Sequence, residues 1–156
     1  CSSDLQEKIG QDKYDEDSLI YTVKSNNQLI GSCRITPLAK YDFIRDLDIL
    51  QSSTNVIFSR VCIENEYRNK NLHIFMFYKF SQWILNNTHY TDYYAFCTDD
   101  EYRLYEKLGA KKVMENKIKL YNNQPNDYHI IKGNIKDFNN SIFNILNTTQ
   151  NDNKQL

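Results

Sequence analysis

The chain has 156 residues, enough for one domain with a single substantial core. Nineteen Lys+Arg against twenty Asp+Glu leave a formal net charge of -1, without the basic excess that bulk nucleic-acid binding needs. No apolar run approaches the roughly 18–20 residues of a membrane span, and no charged-then-apolar signal segment opens the sequence, so a cytoplasmic protein is expected.

In chain order, residues 1–11 are polar and read as a flexible N-terminus. Residues 18–24 and 28–36 are β-rich runs meeting at Asn26-Asn27, which predicts a tight hairpin because Asn tolerates positive φ. Residues 37–53 form a polar connection with a short helix expected around Phe43 to Leu50, and residues 55–64 form a long strand. Leu72, Met76, Phe80, Trp83 and Ile84 recur at helical spacing and predict a helix over 70–86, closed by Asn86-Asn87. A strand over 92–98 precedes a shorter helix, for which Asp99 or Asp100 is the expected N-cap and Gly109 the C′ residue. Strands are predicted over 112–121 and 128–132, on either side of the turn at residues 122–126. Ile135, Phe138, Ile142, Ile145 and Leu146 then give an amphipathic helix. The Asn/Gln-rich stretch 148–156 is expected to be a disordered tail, which leaves 12–147 as one α+β domain.

Cys33, Cys62 and Cys97 sit in strand-like apolar runs, where a free thiol behaves as a small hydrophobe. No paired zinc-ligand spacing exists, and His73, His89 and His129 are far apart, so no metal site is expected. Cys1 stands where an initiator Met would, which points to truncation or processing.

Chemistry is concentrated between Val56 and Val113. An apolar strand ends in Glu64-Asn65-Glu66-Tyr67-Arg68-Asn69-Lys70-Asn71, an apolar helix and a strand follow, and then comes Tyr105-Glu-Lys-Leu-Gly109-Ala. That order resembles the thioester-binding half of the GNAT N-acyltransferase superfamily. Upstream, Asp12-Lys-Tyr-Asp15 precedes the first strand, Gly31-Ser-Cys-Arg34 ends the hairpin, and Phe58-Ser59-Arg60 follows the polar loop. These motifs are similar to those of the autoinducer (acyl-homoserine lactone) synthases and N-acyl amino acid synthases, and the resemblance covers roughly Asp12 to Val113.

The resemblance implies an α/β/α sandwich with a mixed, mostly antiparallel twisted sheet, a splayed central pair of parallel strands and flanking helices. It implies an N-acyltransferase moving an acyl group from a thioester to the amine of a small molecule such as an amino acid, without a covalent enzyme intermediate. Acyl-CoA or acyl-phosphopantetheine would be the co-substrate, no metal would be needed, and an acyl carrier protein is a candidate partner through Arg68, Lys70 and Lys79. Val61, Cys62 and Ile63, with the turn Arg68, Asn69, Lys70, Asn71, Leu72 and His73, would hold the donor, because a helix N-terminus presents unpaired N–H groups to anions. Asn71 and His73 replace the small residues of the family turn. Asn can adopt the left-handed backbone, whereas His73 lacks glycine's close approach.

Tyr105 stands where many GNAT enzymes keep the acid for the leaving thiolate, although a Tyr beside Leu104 and Leu108 also reads as core. Asp12 and Asp15 would organise the amine end. By the resemblance Arg34 and Arg60 would form buried ion pairs or bind a substrate carboxylate, and Ser59, counted with the catalytic group, would hydrogen-bond nearby. An Arg inside an apolar strand is costly to bury unpaired, so Asp12, Asp15 and Asp48 are the candidate partners, whether the pairing is structural or serves a substrate. Ile57 replaces the family carboxylate, so Glu64 acting through a water is the candidate base. Two further readings stay open: an acetyl-CoA-dependent GNAT acetyltransferase, and a GNAT-like module that binds acyl thioesters or proteins without catalysis.

Overall fold

Two asparagines set the first hairpin: Asn26 and Asn27 are left-handed at φ 50° and 64°, the backbone of a type I′ turn. The computed structural model describes residues 13–41, 52–68, 70–120 and 127–154. The short helix expected at Phe43 to Leu50, Asp12, Asp48, Asn69 and the turn at 122–126 lie outside these residues. The architecture is α+β, with a mostly antiparallel six-stranded sheet in the order β1-β2-β3-β4-β6-β5. The chain forms two compact units, Cys1–Phe80 and Ser81–Leu156.

In the first unit, β1 (Leu19–Ser25) pairs antiparallel with β2 (Gln28–Pro37), and β2 with β3 (Asn55–Ile63). Val56, Ile57 and Phe58 are consecutive and buried, so β3 is covered on both faces and reads as a continuous apolar run. A bulge interrupts the second pair. Ser32 faces Cys62 and Arg34 faces Ser59, leaving Arg60 and Val61 together opposite Cys33. Arg60 absorbs the extra residue with a left-handed backbone, φ 55°.

Helix α1 (Leu72–Asn87) begins after Asn71, whose φ of 57° lets the chain turn sharply into it. Gly31 on β2 lies under the helix; a Cβ there would meet Met76 Sδ at 3.4 Å, an ordinary contact. Met76, Phe77 and Phe80 are buried; Phe58 meets Phe77 edge-on at 5.2 Å and Tyr21 stacks on Phe80 at 5.2 Å. Asn87 Nδ2 donates to the Trp83 carbonyl and Thr88 Oγ1 to that of Ile84, which satisfies the helix end.

The second unit holds β4 (Asp92–Cys97), α2 (Asp99–Lys107), β5 (Lys111–Lys112), β6 (His129–Asn134) and α3 (Ile135–Lys154). β6 pairs antiparallel with both β4 and β5. The N-cap of α2 is Thr98, not Asp99 or Asp100. Its extended backbone leaves β4 with the hydroxyl facing the Glu101 N–H, and the Glu101 carboxylate returns to the Thr98 N–H as a capping box. Gly109 follows the helix at φ 93°, as its C′ position requires.

The strand expected over 112–121 shrinks to Lys111–Lys112 and a lone bridge between Ile118 and Tyr128. The intervening Glu115, Asn116 and Lys117 are exposed polar residues with no face to bury. Helix α3 continues to Lys154, past the point where composition predicts a tail; the hydroxyls of Thr148 and Thr149 bond back to the carbonyls of Asn144 and Ile145.

Tyr93, Ile130, Ile131, Ile135, Phe138 and Ile142 form the core of this unit, with Tyr93 packed edge-on to Phe138 at 5.2 Å. Gly133 faces Tyr93 directly across the β4–β6 pair, and a Cβ at Gly133 would sit 2.5 Å from the Tyr93 hydroxyl and 2.6 Å from its ring. Gly133→Ala is therefore expected to destabilise the chain by about 1–3 kcal/mol through overpacking. A urea midpoint unchanged from the parent would contradict this packing.

Candidate functional site

Arg34 is a buried cation of the first unit. Midway along β2, it is only 3% exposed, and its Nη1 donates to Asp15 Oδ1 at 2.7 Å. Its Nε donates to Ser59 Oγ at 3.3 Å, directly across the β2–β3 pair. Asp15 comes from the short 3-10 turn Asp15–Asp17 that precedes β1. The same turn is pinned by Ser18, whose Oγ donates to the Tyr14 carbonyl and lies 2.7 Å from the hydroxyl of the fully buried Thr36. The Tyr14 ring stacks on Tyr41 at 4.4 Å and stands 5.9 Å from the Arg34 guanidinium carbon. The structure thus unites Asp15, Arg34 and Ser59. Tyr14 and the Ser18–Thr36 pair were not legible in the sequence, because Tyr and Ser are too common here for position alone to mark them.

The expected burial of Arg60 is corrected. The residue lies on the exposed side of β3, because the bulge gives it a left-handed backbone and takes it out of strict alternation. Val61, in the bulge, and Cys62 and Ile63, after it, are half-buried. Glu64 is half-buried as well; its N–H bonds to the Ile30 carbonyl at 2.9 Å and its carbonyl accepts from Tyr67. Ile57 is fully buried, so its position offers no carboxylate and no opening to water.

The basic turn has definite geometry. Arg68 Nε donates to the Ile63 carbonyl at 3.0 Å, and Lys70 lies 5.4 Å from the Tyr67 ring centroid. The Asn71 carbonyl accepts the N–H groups of Ile74 and Phe75, so Asn71 caps α1 and the N–H groups of the first turn precede the regular i−4 ladder. Leu72 is half-buried. The His73 ring lies edge-on to Phe77, 6.2 Å away, and burial lowers its pKa from the ordinary value. The imidazole is thus neutral at pH 7 and packs along the helix.

Tyr105 belongs to the second unit, where it is 8% exposed and its carbonyl accepts the N–H groups of Leu108 and Ala110. Burial pushes the Cys97 thiol up to about 12 and raises Cys33 and Cys62 as well, although Arg60 and Arg68 work against the rise at Cys62. None of the three is a thiolate at neutral pH, which disfavours a covalent thiol route. Among the described residues no cluster of His, Cys, Asp or Glu could hold a metal ion, and no helix is long and apolar enough to cross a membrane.

One polar cluster was missed because its members are up to 30 residues apart. His129 Nε2 lies 2.5 Å from Asp99 Oδ1, and Lys117 Nζ 2.6 Å from Asp99 Oδ2. Hydrogen bonds from Lys117 and then His129 hold the Asp99 carboxyl at about 2, below the ordinary 3.8. A depressed carboxyl pKa contributes stability that is present above 3.8 and lost as pH falls toward 2. Asp99→Asn should therefore flatten the fall in urea midpoint over that window; an undiminished fall would show that the pair does not bear on folding.

No family model matches the sequence, and none of the curated proteins does. Solved structures do. The CoA-dependent acyl-homoserine lactone synthase BjaI, solved with SAM and isopentyl-CoA, matches with a TM-score of 0.68 and 13% identity over 88% of this chain and 68% of that one. The CoA-dependent acyl-homoserine lactone synthase MesI gives 0.69 at 10% identity, over 85% and 70% of the two chains. The chain has the GNAT fold. A GNAT-family acetyltransferase from Streptococcus pneumoniae matches at 0.57 and 12% identity, over 77% of this chain and 68% of that one.

Proposed function

We propose that this GNAT-fold chain is an N-acyltransferase that moves an acyl group from acyl-CoA to the amine of a small molecule, an amino acid or a derivative. The observation that carries the reading is the fold shared with CoA-dependent acyl-homoserine lactone synthases, joined to the left-handed Asn71 at the start of α1. That backbone does what glycine does in the family turn, and the His73 ring packs back on Phe77. Both favour a CoA phosphate at the helix start.

In this reading Arg68, Lys70 and the first N–H groups of α1 receive the phosphates, and backbone groups of Val61 to Ile63 hold the thioester. Glu64, through a water, takes a proton from the ammonium, the free amine attacks the carbonyl carbon, and the carbon–sulfur bond breaks. Tyr105 donates its proton to the departing thiolate, and the second proton, shed by the nitrogen as the amide forms, reprotonates Tyr105 through solvent. Arg34, engaged by Asp15 and Ser59, positions the segment that meets the amine. An acyl carrier protein is the alternative donor.

Incubation with a panel of acyl-CoA and acyl-carrier-protein thioesters and mixed amino acids, read by mass spectrometry, tests the proposal. An N-acyl amine with free CoA supports it, and turnover of acetyl-CoA alone would move the chain to the acetyltransferases. The buried Ile57 in place of a family carboxylate favours a second reading, a binding module that has lost catalysis. That reading predicts thermal stabilisation by acyl-CoA with no product.

A further inference from the structure

We propose that His129, with Asp99 and Lys117, is a clamp that fixes the entry of α2 and so positions Tyr105 on the same helix. Only the consequence for Tyr105 rests on the acyltransferase reading. Helix α2 has nine residues, and a helix this short has little stability of its own in water. Asp99 is its first residue, and its two oxygens are divided between His129 of β6 and Lys117 of the polar connection. Asp99 and Lys117 are substantially exposed, but the His129 side chain is 4% exposed, so one arm of the clamp is held within the core. The Tyr102 ring, one turn into α2, stands 5.7 Å from the imidazole, with the Lys112 ammonium 4.7 Å from the Tyr102 ring centroid.

The other imidazole nitrogen explains why the contact to Asp99 matters. His129 Nδ1 is buried and has no hydrogen-bond partner among the described residues. An unsatisfied buried polar atom is unfavourable, and Leu or Phe at this position would avoid it. The bond to Asp99 is the polar interaction the ring makes, and it joins β6 to the first residue of α2. His129 touches no reacting group in this account and acts through the helix.

Backbone hydrogen exchange on the intact chain tests the clamp at Glu101 and Tyr102, whose N–H groups bond to Thr98. His129→Leu should speed exchange there about tenfold while residues 130–133 of β6 keep the parent rate. His129→Gln, whose amide nitrogen can reach Asp99, should stay within about threefold of the parent. In turnover, His129→Leu should lower kcat without changing the KM for the thioester, and His129→Gln should restore it. Equal exchange in parent and Leu variant, or a Gln variant as fast as Leu, overturns the clamp. If His129→Leu loosens the whole chain, Asp99→Asn is read the same way, and acceleration confined to α2 is then required; general acceleration overturns it. A parent without turnover defeats the proposed function, whereas the exchange rates still decide the clamp.

Discussion

Tyr105→Phe is expected to lower kcat for acyl transfer by roughly 10²- to 10⁴-fold, the range for losing a positioned general acid. The KM for the thioester should change little, because the ring stays and only the proton donor is lost. Tyr105 is buried, so a structural role must be separated from a chemical one. An aryl thioester does this: its leaving thiolate is weakly basic and needs no acid. The variant should approach the parent with such a donor. If Tyr105→Phe is equally impaired with aryl and alkyl thioesters, or shows an unchanged kcat with CoA thioesters, Tyr105 is core and the acid lies elsewhere.

Arg34→Met is the second large effect. The ion pair with Asp15 is nearly closed on the arginine side, with side chains 4% and 19% exposed. Breaking such a pair from one side costs about 3–5 kcal/mol, with the lower end apt here because Asp15 keeps some contact with water. That is a large share of the 5–15 kcal/mol typical of a domain. Asp15→Asn should also destabilise, since it takes the carboxylate away from the buried guanidinium. Combining the two should cost less than their sum by more than about 1 kcal/mol, because both changes remove the same contact. Urea unfolding of all four proteins gives the cycle. Additive effects would mean that Asp15 and Arg34 do not act as a pair.

Much of the architecture was legible because its signals are local. Asn26-Asn27 marks a left-handed turn, the Leu72 to Ile84 spacing marks a helix, and the apolar run at Val56 marks a covered strand. Errors arose where the outcome depends on a partner strand. Arg60 reads as a buried strand arginine, yet whether the strand keeps its alternation there is decided by register against β2, where Cys33 faces two residues. Thr98 outcompetes Asp99 as N-cap because β4 delivers it extended, while Asp99 is drawn to His129 and Lys117. The pairing of Arg34 with a carboxylate was readable from the high cost of burying an unpaired charge, but its assignment to Asp15 required the 3-10 turn. The His129–Asp99 contact had no sequence signal, because it joins residues 30 apart in the chain.

The central claim is direct acyl transfer from a CoA thioester to an amine, and one measurement addresses it most directly. Purified chain is given isopentyl-, octanoyl- and acetyl-CoA in turn with an amino acid mixture, while free CoA and N-acylated product are quantified together by mass spectrometry. The account predicts CoA and N-acyl amine in equal amounts, no acyl group retained on Cys33, Cys62 or Cys97, and loss of both products in Tyr105→Phe. Acyl-CoA that binds and stabilises the chain yet stays intact beside the amine would contradict it, and would leave a thioester-binding module in its place.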